Sequence, residues 1–213
     1  LLIPTIALLA FSLLVYMQPI SGRPMNVTAG QPGVDLAFST PEEEFNGLRT
    51  AVPKLYESAR QSRSELLVLP EGIAAGENDN PPIAPFNPEP DIPVIFGGKR
   101  TAFIETSATR EGEGVKVYQS AFGFDGKTWS HADKARLVVF GEYVPGRGIL
   151  PFLDTFKLPT GDLTPASKSQ ALHIGDLKVG AMICFEGLFA DVAANLVKDK
   201  AQLLAVISID ESY

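Results

Sequence analysis

The sequence predicts an α/β layered domain with a mixed sheet, preceded by one apolar helix. Three observations predict it. Short apolar runs at 65–69, 92–98, 177–183 and 202–208 have the length of buried strands. Segments at 41–59 and 188–199 carry apolar residues every three or four positions and alternate with those runs, as layered α/β domains require. Residues 101–106 and 115–124 read as a hairpin with Glu111, Gly112 and Gly114 near its tip, which makes part of the sheet antiparallel.

The chain of 213 residues opens on a stretch, 1–20, that carries no charge; Arg23 is the first charged residue. About 20 apolar residues match the hydrocarbon thickness of a bilayer. Pro4, Gln18 and Pro19 weaken the ends. A secretory signal peptide is the rival reading, but its basic n-region is missing. A buried core helix is another, but the segment has no polar face. Residues 1–22 are therefore read as all or part of a transmembrane helix with its polar exit, and residues 23–213 as one domain. Because the first residue is Leu1, the chain is expected to be a piece of a longer membrane protein.

Residues 25–31 read as a first strand, followed by a loop with Pro32 and Gly33. Thr40-Pro41-Glu42-Glu43 is a helix start: Thr40 can cap, Pro41 suits the first helical position and Glu43 completes a capping box. Phe45, Leu48, Val52, Leu55 and Ala59 give that helix its apolar face, and Pro53 is expected to kink it. The run 65–69 ends at Pro70-Glu71-Gly72. Residues 76–91 read as an exposed loop rich in Pro, Asn, Asp and Glu. A dense mixed motif, KARLVVFGEYVP, fills 134–145, and a Pro- and Gly-containing loop runs to about 167. Strands at 169–174 and 177–183 reach Cys184, a helix follows over 188–199, and 202–208 is the last strand.

Composition excludes several function classes. A net charge of −7 with no basic cluster argues against a nucleic-acid surface. One cysteine excludes an intrachain disulfide and a multi-cysteine zinc site. His131 and His173 lie too far apart for metal-ligand spacing, and neither Gly97-Gly98 nor Gly146/Gly148 has the spacing of a phosphate loop.

The chemistry points to Cys184. A buried strand that breaks sharply into a helix lifts one side chain clear of the sheet edge, a geometry that suits a nucleophile. The alternative is a core cysteine, since cysteine is among the most buried residue types. Glu71 and Lys134 also sit where strands end. Singly, a Glu after Pro is a solvated turn carboxylate and a Lys after Asp133 is a surface charge.

Together, with LPEG around Glu71 and ICFEG around Cys184, the three residues resemble the Glu-Lys-Cys triad of the nitrilase (carbon–nitrogen hydrolase) superfamily, in the same chain order. The resemblance implies a nitrilase-like α-β-β-α sandwich. It also implies Cys184 as nucleophile, Glu71 as general base, and Lys134 as the cation that lowers the thiol pKa and receives the oxyanion. Glu142 would hold Lys134 in place, and Glu186 matches a further family position. DKARLVVFGEYVP, 133–145, is similar to the lysine motif of the apolipoprotein N-acyltransferase branch. That branch implies a membrane phospholipid as acyl donor, a cysteine thioester, and a diacylated lipoprotein amine as acceptor. It implies no cofactor, no metal and no nucleic-acid partner. It places the catalytic domain on the periplasmic side of the bacterial inner membrane. Val139, Phe185 and the segment 208–213 depart from the branch pattern. The domain is expected to be incomplete at its C-terminal end and inactive by itself. A membrane-tethered amidase and a catalytically inactive interaction domain are the other two readings of the same features.

Overall fold

The computed structural model describes residues 2–17, 22–34, 39–80, 82, 91–103, 114–147, 149–158 and 161–209. The first element, α1 (Leu2–Tyr16), is a 15-residue helix with no charged residue. At 1.5 Å per residue it spans about 22 Å, short of the ~30 Å hydrocarbon core. Among the described residues no helix is long and apolar enough to cross a membrane. Expectations that fall on residues 18–21, 83–90, 104–113 and 210–213 lie outside the described residues.

Two sheets form among the described residues. The larger contains β1 (Val27–Ala29), β2 (Leu66–Val68), β3 (Ala74–Glu77), β4 (Val94–Phe103), β5 (Val115–Phe124) and β6 (Trp129–Asp133). Its order is β1-β2-β4-β5-β6, with β3 also paired to β4. The first pairings are parallel, and β4-β5 and β5-β6 are antiparallel. The smaller sheet contains β7 (Leu172–Ile174), β8 (Leu177–Ile183) and β9 (Leu203–Ile207), with β7-β8 antiparallel and β8-β9 parallel. A helix, α2 (Pro41–Gln61), packs on the first sheet, and α3 (Ala190–Lys198) connects β8 to β9.

The layers follow from the alternation of side chains along each strand. Leu67, Val94, Phe96 and Phe122 face α2, where Leu48, Val52 and Ala59 close one core. Their neighbours Leu66, Ile95 and Ala121, with Ala132, face the other way and meet Leu172, Ile174, Val179, Ala181, Ile183 and Ile207 of the second sheet. Met182, pointing outward from β8, packs with Val192 and Leu196 of α3. The order of layers is therefore helix, sheet, sheet, helix. Each fully buried side chain contributes about 1.5–3 kcal/mol of hydrophobic stabilisation.

The capping box of α2 is present. Thr40 Oγ1 accepts from Glu43 N (3.3 Å), and Glu43 Oε2 accepts from Thr40 N (2.8 Å). Pro53 lies inside the helix. Other boundaries differ from the sequence reading. Gly76 and Glu77 belong to β3 rather than to a loop, and β6 occupies residues to which no strand was assigned. The separate strands expected at 92–98 and 101–106 are one ten-residue strand up to Phe103. A short 3-10 turn, Cys184–Leu188, precedes α3, which begins at Ala190 rather than Leu188.

Candidate active site

Strand direction decides where the reactive side chains gather. The strand β6 is antiparallel to β5, which is antiparallel to β4, so β6, β4 and β2 run the same way. Glu71 follows β2 and Lys134 follows β6. In the second sheet β8 and β9 are parallel, so Cys184 and Ser208 leave adjacent strand ends. The site is where these ends of the two stacked sheets meet.

The turn carrying Glu71 is pressed against β4. Gly97 N–H donates to the Pro70 carbonyl (2.9 Å), and Ile73 N–H donates to the Gly97 carbonyl (2.9 Å). A Cβ on Gly97 would lie 2.8 Å from Glu71 Cα, so only glycine admits the Glu71 backbone at this depth. Gly98 makes a second close approach, its missing Cβ falling 1.8 Å from the Ala74 carbonyl oxygen. Gly97-Gly98 thus serves backbone packing behind the site.

Cys184 adopts φ +54°, in the left-handed region that disfavours a residue with a Cβ by about 1–2 kcal/mol. This is the sharp break from β8 that the sequence suggested. The surrounding bonds hold it. Buried Glu186 accepts from Ile183 N–H on Oε2 (3.0 Å) and from Ala135 and Arg136 N–H on Oε1 (2.9 and 3.0 Å). One carboxylate therefore ties the cysteine elbow to the segment after Lys134. Sequence reasoning singled out Glu186 as a supporting residue at a family position but left its role open, because two of its three donors lie some 50 residues away.

Lys134 is 1% exposed, and its Nζ donates to Glu142 Oε1 at 2.7 Å. The other Glu142 oxygen accepts from Val138 N–H (2.9 Å). The chain folds back between them through a left-handed Phe140 (φ +61°) and a Gly141 N–H to Val138 carbonyl bond (3.2 Å). The Lys134 backbone is also fixed, its N–H donating to Gln119 O and its carbonyl accepting from Ala166 N–H.

Glu71 is bonded from two sides. It accepts from Ile209 N–H (3.3 Å) and from Gln119 Nε2 (3.4 Å), and it acts electrostatically on the Cys184 thiol. Burial pushes its carboxyl above the usual carboxylate range, while the Ile209 N–H, Lys134 and Cys184 draw it back in part. The Cys184 thiol is also raised, by burial first and then by the negative charge of Glu71. Lys134, the Ser208 hydroxyl and the Phe185 N–H act the other way without prevailing. Lys134 thus acts to lower the thiol pKa, but the net direction is up. Both groups are shifted toward their protonated forms, with the thiol beside a carboxyl that burial makes more basic. Among the described residues no cluster of His, Cys, Asp or Glu could hold a metal ion.

Sequence reasoning also passed over Gln119 and the buried ion pair of Arg100 with Asp133. Arg100 Nε and Nη2 donate to the two Asp133 oxygens at 2.9 and 2.6 Å. Neither residue type is unusual in a sequence, and only strand register brings them together.

No family model matches the sequence. Curated relatives do match. The apolipoprotein N-acyltransferase of Geobacter metallireducens is 33% identical over 155 residues, 69% of this chain and 28% of that protein. That of Allorhizobium ampelinum is 30% identical over 204 residues, 88% of this chain and 36% of that protein. The chain spans roughly a third of the length of these relatives. In fold it is similar to the crystal structure of a carbon–nitrogen hydrolase from Helicobacter pylori, with a TM-score of 0.50 at 15% identity over 86% of this chain and 58% of that one.

Proposed function

The chain is a homologue of the proteins named apolipoprotein N-acyltransferase, and from that premise we propose that it is most of the catalytic domain of such an enzyme, with Cys184 as its nucleophile. The observation that carries the proposal is the convergence of Glu71, Lys134 and Cys184, from three separate strand ends, close enough that the carboxyl, ammonium and thiol act on their neighbours electrostatically. The homologues and the fold together support an N-acyltransferase or a carbon–nitrogen hydrolase. The acyltransferase is preferred because the matched relatives bear that name over most of this chain.

In the reaction proposed, Sγ of Cys184 attacks the ester carbonyl of a membrane phospholipid as Glu71 takes the thiol proton. The oxyanion that forms is stabilised by Lys134. Collapse expels the lysophospholipid alkoxide, which receives the proton from Glu71, and leaves a thioester on Cys184. The N-terminal amine of a diacylated lipoprotein then attacks the thioester. Glu71 accepts the amine proton and returns it to the departing thiolate, and an amide is formed. The raised thiol pKa disfavours thiolate beforehand, and proton removal is proposed to accompany attack.

Residues 1–22 are proposed to belong to a transmembrane helix and its exit in the longer protein, and 23–213 to a domain on the periplasmic side of the inner membrane. The motive is the uncharged run before Arg23, together with two membrane-borne substrates.

The test is intact-protein mass spectrometry of the full-length protein after incubation with phospholipid alone. The expected result is a hydroxylamine-labile mass increase of one acyl chain, absent in Cys184→Ser. Acylation at another residue, or full activity in Cys184→Ser, would refute the assignment. Rapid loss of the acyl group to water, with no transfer to a lipopeptide amine, would favour the amidase reading.

A further inference from the structure

Lys134 and Gln119 reach into the site from the inner face of the first sheet, the face on which Ala132 and Ala121 pack against the second sheet. Their strand neighbours Asp133 and Ser120 therefore point to the opposite face. Register places Ser120 directly beside Asp133, and Arg100 beside Tyr118. On that outer face the Asp133 carboxylate is held by three side-chain bonds. Two come from Arg100, and the third comes from Ser120 Oγ at 2.7 Å. Arg100 is held in turn by the Asn78 carbonyl (3.3 Å) and by the Tyr118 ring, 4.7 Å from its guanidinium carbon. Arg100 is 7% exposed and Ser120 fully buried.

We infer that Arg100, Asp133 and Ser120 are positioning residues: a clamp on the outer face of the sheet that fixes the direction in which Lys134 and Gln119 project into the site on the inner face. The inference rests on the proposed roles of Lys134 and Glu71. The chemistry requires such a device. Lys134 is the first residue after β6, just past the last register pair of Ser120 with Asp133, where a backbone rotation of a few degrees would swing a long side chain away from Glu142 and Cys184. Glu142 holds the ammonium end, but Glu142 itself sits on a loop. Fixing residue 133 by a planar, bidentate pair restrains the backbone from the other side, because successive strand side chains are geometrically tied to opposite faces. Ser120 does the same for Gln119, whose amide bonds Glu71. A purely structural ion pair has no need to share its carboxylate with the strand that bears Gln119.

The readout is the rate at which iodoacetamide alkylates Cys184 in the full-length protein between about pH 7 and pH 10, followed on the peptide that carries Cys184. The groups that face the thiol are Glu71 and Lys134, with Ser208 and the Phe185 N–H. Loss of the cation should move the profile upward by about 1 pH unit in Lys134→Met. A misdirected Lys134 should move it partway: about half a unit, or about threefold slower alkylation at a given pH below the midpoint, in Arg100→Lys. Lysine keeps the charge but cannot form the fork. Ser120→Ala, the mildest variant, should shift in the same direction by less. Val52→Ala, in the distant α2 core, should lower the melting temperature without moving the profile. An unchanged profile in both Arg100→Lys and Ser120→Ala, with Lys134→Met shifted, overturns the clamp alone. An equal shift in Val52→Ala does so too. No shift in Lys134→Met overturns the proposed role of Lys134 and the clamp with it.

Discussion

At the scale of single residues the site is a set of charges that cannot be removed one at a time without cost. Glu142→Gln leaves the Lys134 ammonium buried without its counter-charge, and breaking a buried pair from one side costs about 3–5 kcal/mol. The expected outcome is loss of transfer activity together with a clearly lowered melting temperature, read by activity assay and thermal denaturation on the same preparation. Wild-type rates would refute the pairing role. Glu186→Gln tests a different point. Both Glu186 oxygens accept from backbone N–H groups, and a glutamine offers only one oxygen, so its amide must face a donor on one side. A destabilisation of about 2–3 kcal/mol in chemical denaturation is expected. Glu71 sets the pH dependence. Its carboxylate must be ionised to accept a proton, and burial raises its pKa, so the ionised fraction is lost at a higher pH than for an exposed glutamate. The acid limb of kcat/KM should therefore lie above the ordinary glutamate range.

At the scale of elements, Gly97→Ala should be more damaging than its size suggests, since the new methyl would meet Glu71 backbone at 2.8 Å. A loss of about 1–3 kcal/mol is expected, with activity falling further than stability because the displaced residue is the base. Denaturant midpoints and initial rates, compared in one variant, check it. The same glycines explain where sequence reading failed. Gly97-Gly98 followed by Lys99-Arg100 looks like a strand end and a turn, yet β4 continues to Phe103. The glycines are there for close backbone approach, and Arg100 is buried because Asp133 neutralises it. Strand β6, WSHAD, has no apolar run because His131 and Asp133 face a polar cluster, and β3, AAGE, is made of residues with little strand preference. What was legible was what hydrophobic burial writes into a chain: the apolar runs at β2, β8 and β9, the capping box of α2, and the strand break at Cys184. The roles of Gln119 and Arg100 depend on partners brought in by register, and that of Glu186 on a segment some 50 residues away in the chain; neither leaves a local trace.

At the scale of the whole molecule, two sheets and their outer helices stack into four layers, with the site at one end of the stack. The proposed arrangement places the uncharged segment before Arg23 in the bilayer, so that substrates extracted from lipid arrive beside the domain. Cysteine substitutions on exposed positions of the domain, such as Lys116, should react with a membrane-impermeant reagent in intact spheroplasts. Labelling only after lysis would place the domain on the other side and sink the topology.

The bond from Ile209 N–H to Glu71 joins residues 138 positions apart. Such a contact closes a very long loop, and loop-closure entropy disfavours its early formation. During synthesis the segment bearing Glu71 emerges first, the elbow at Cys184 later, and Ile209 later still. Until β9 has joined β8, the carboxylate lacks its backbone donor and the thiol lacks its neighbour Ser208. Chemical competence therefore waits on the pairing of β9 with β8, and until that register forms Cys184 stays an ordinary thiol. In refolding experiments, burial of Trp129 should precede recovery of the native Cys184 alkylation rate.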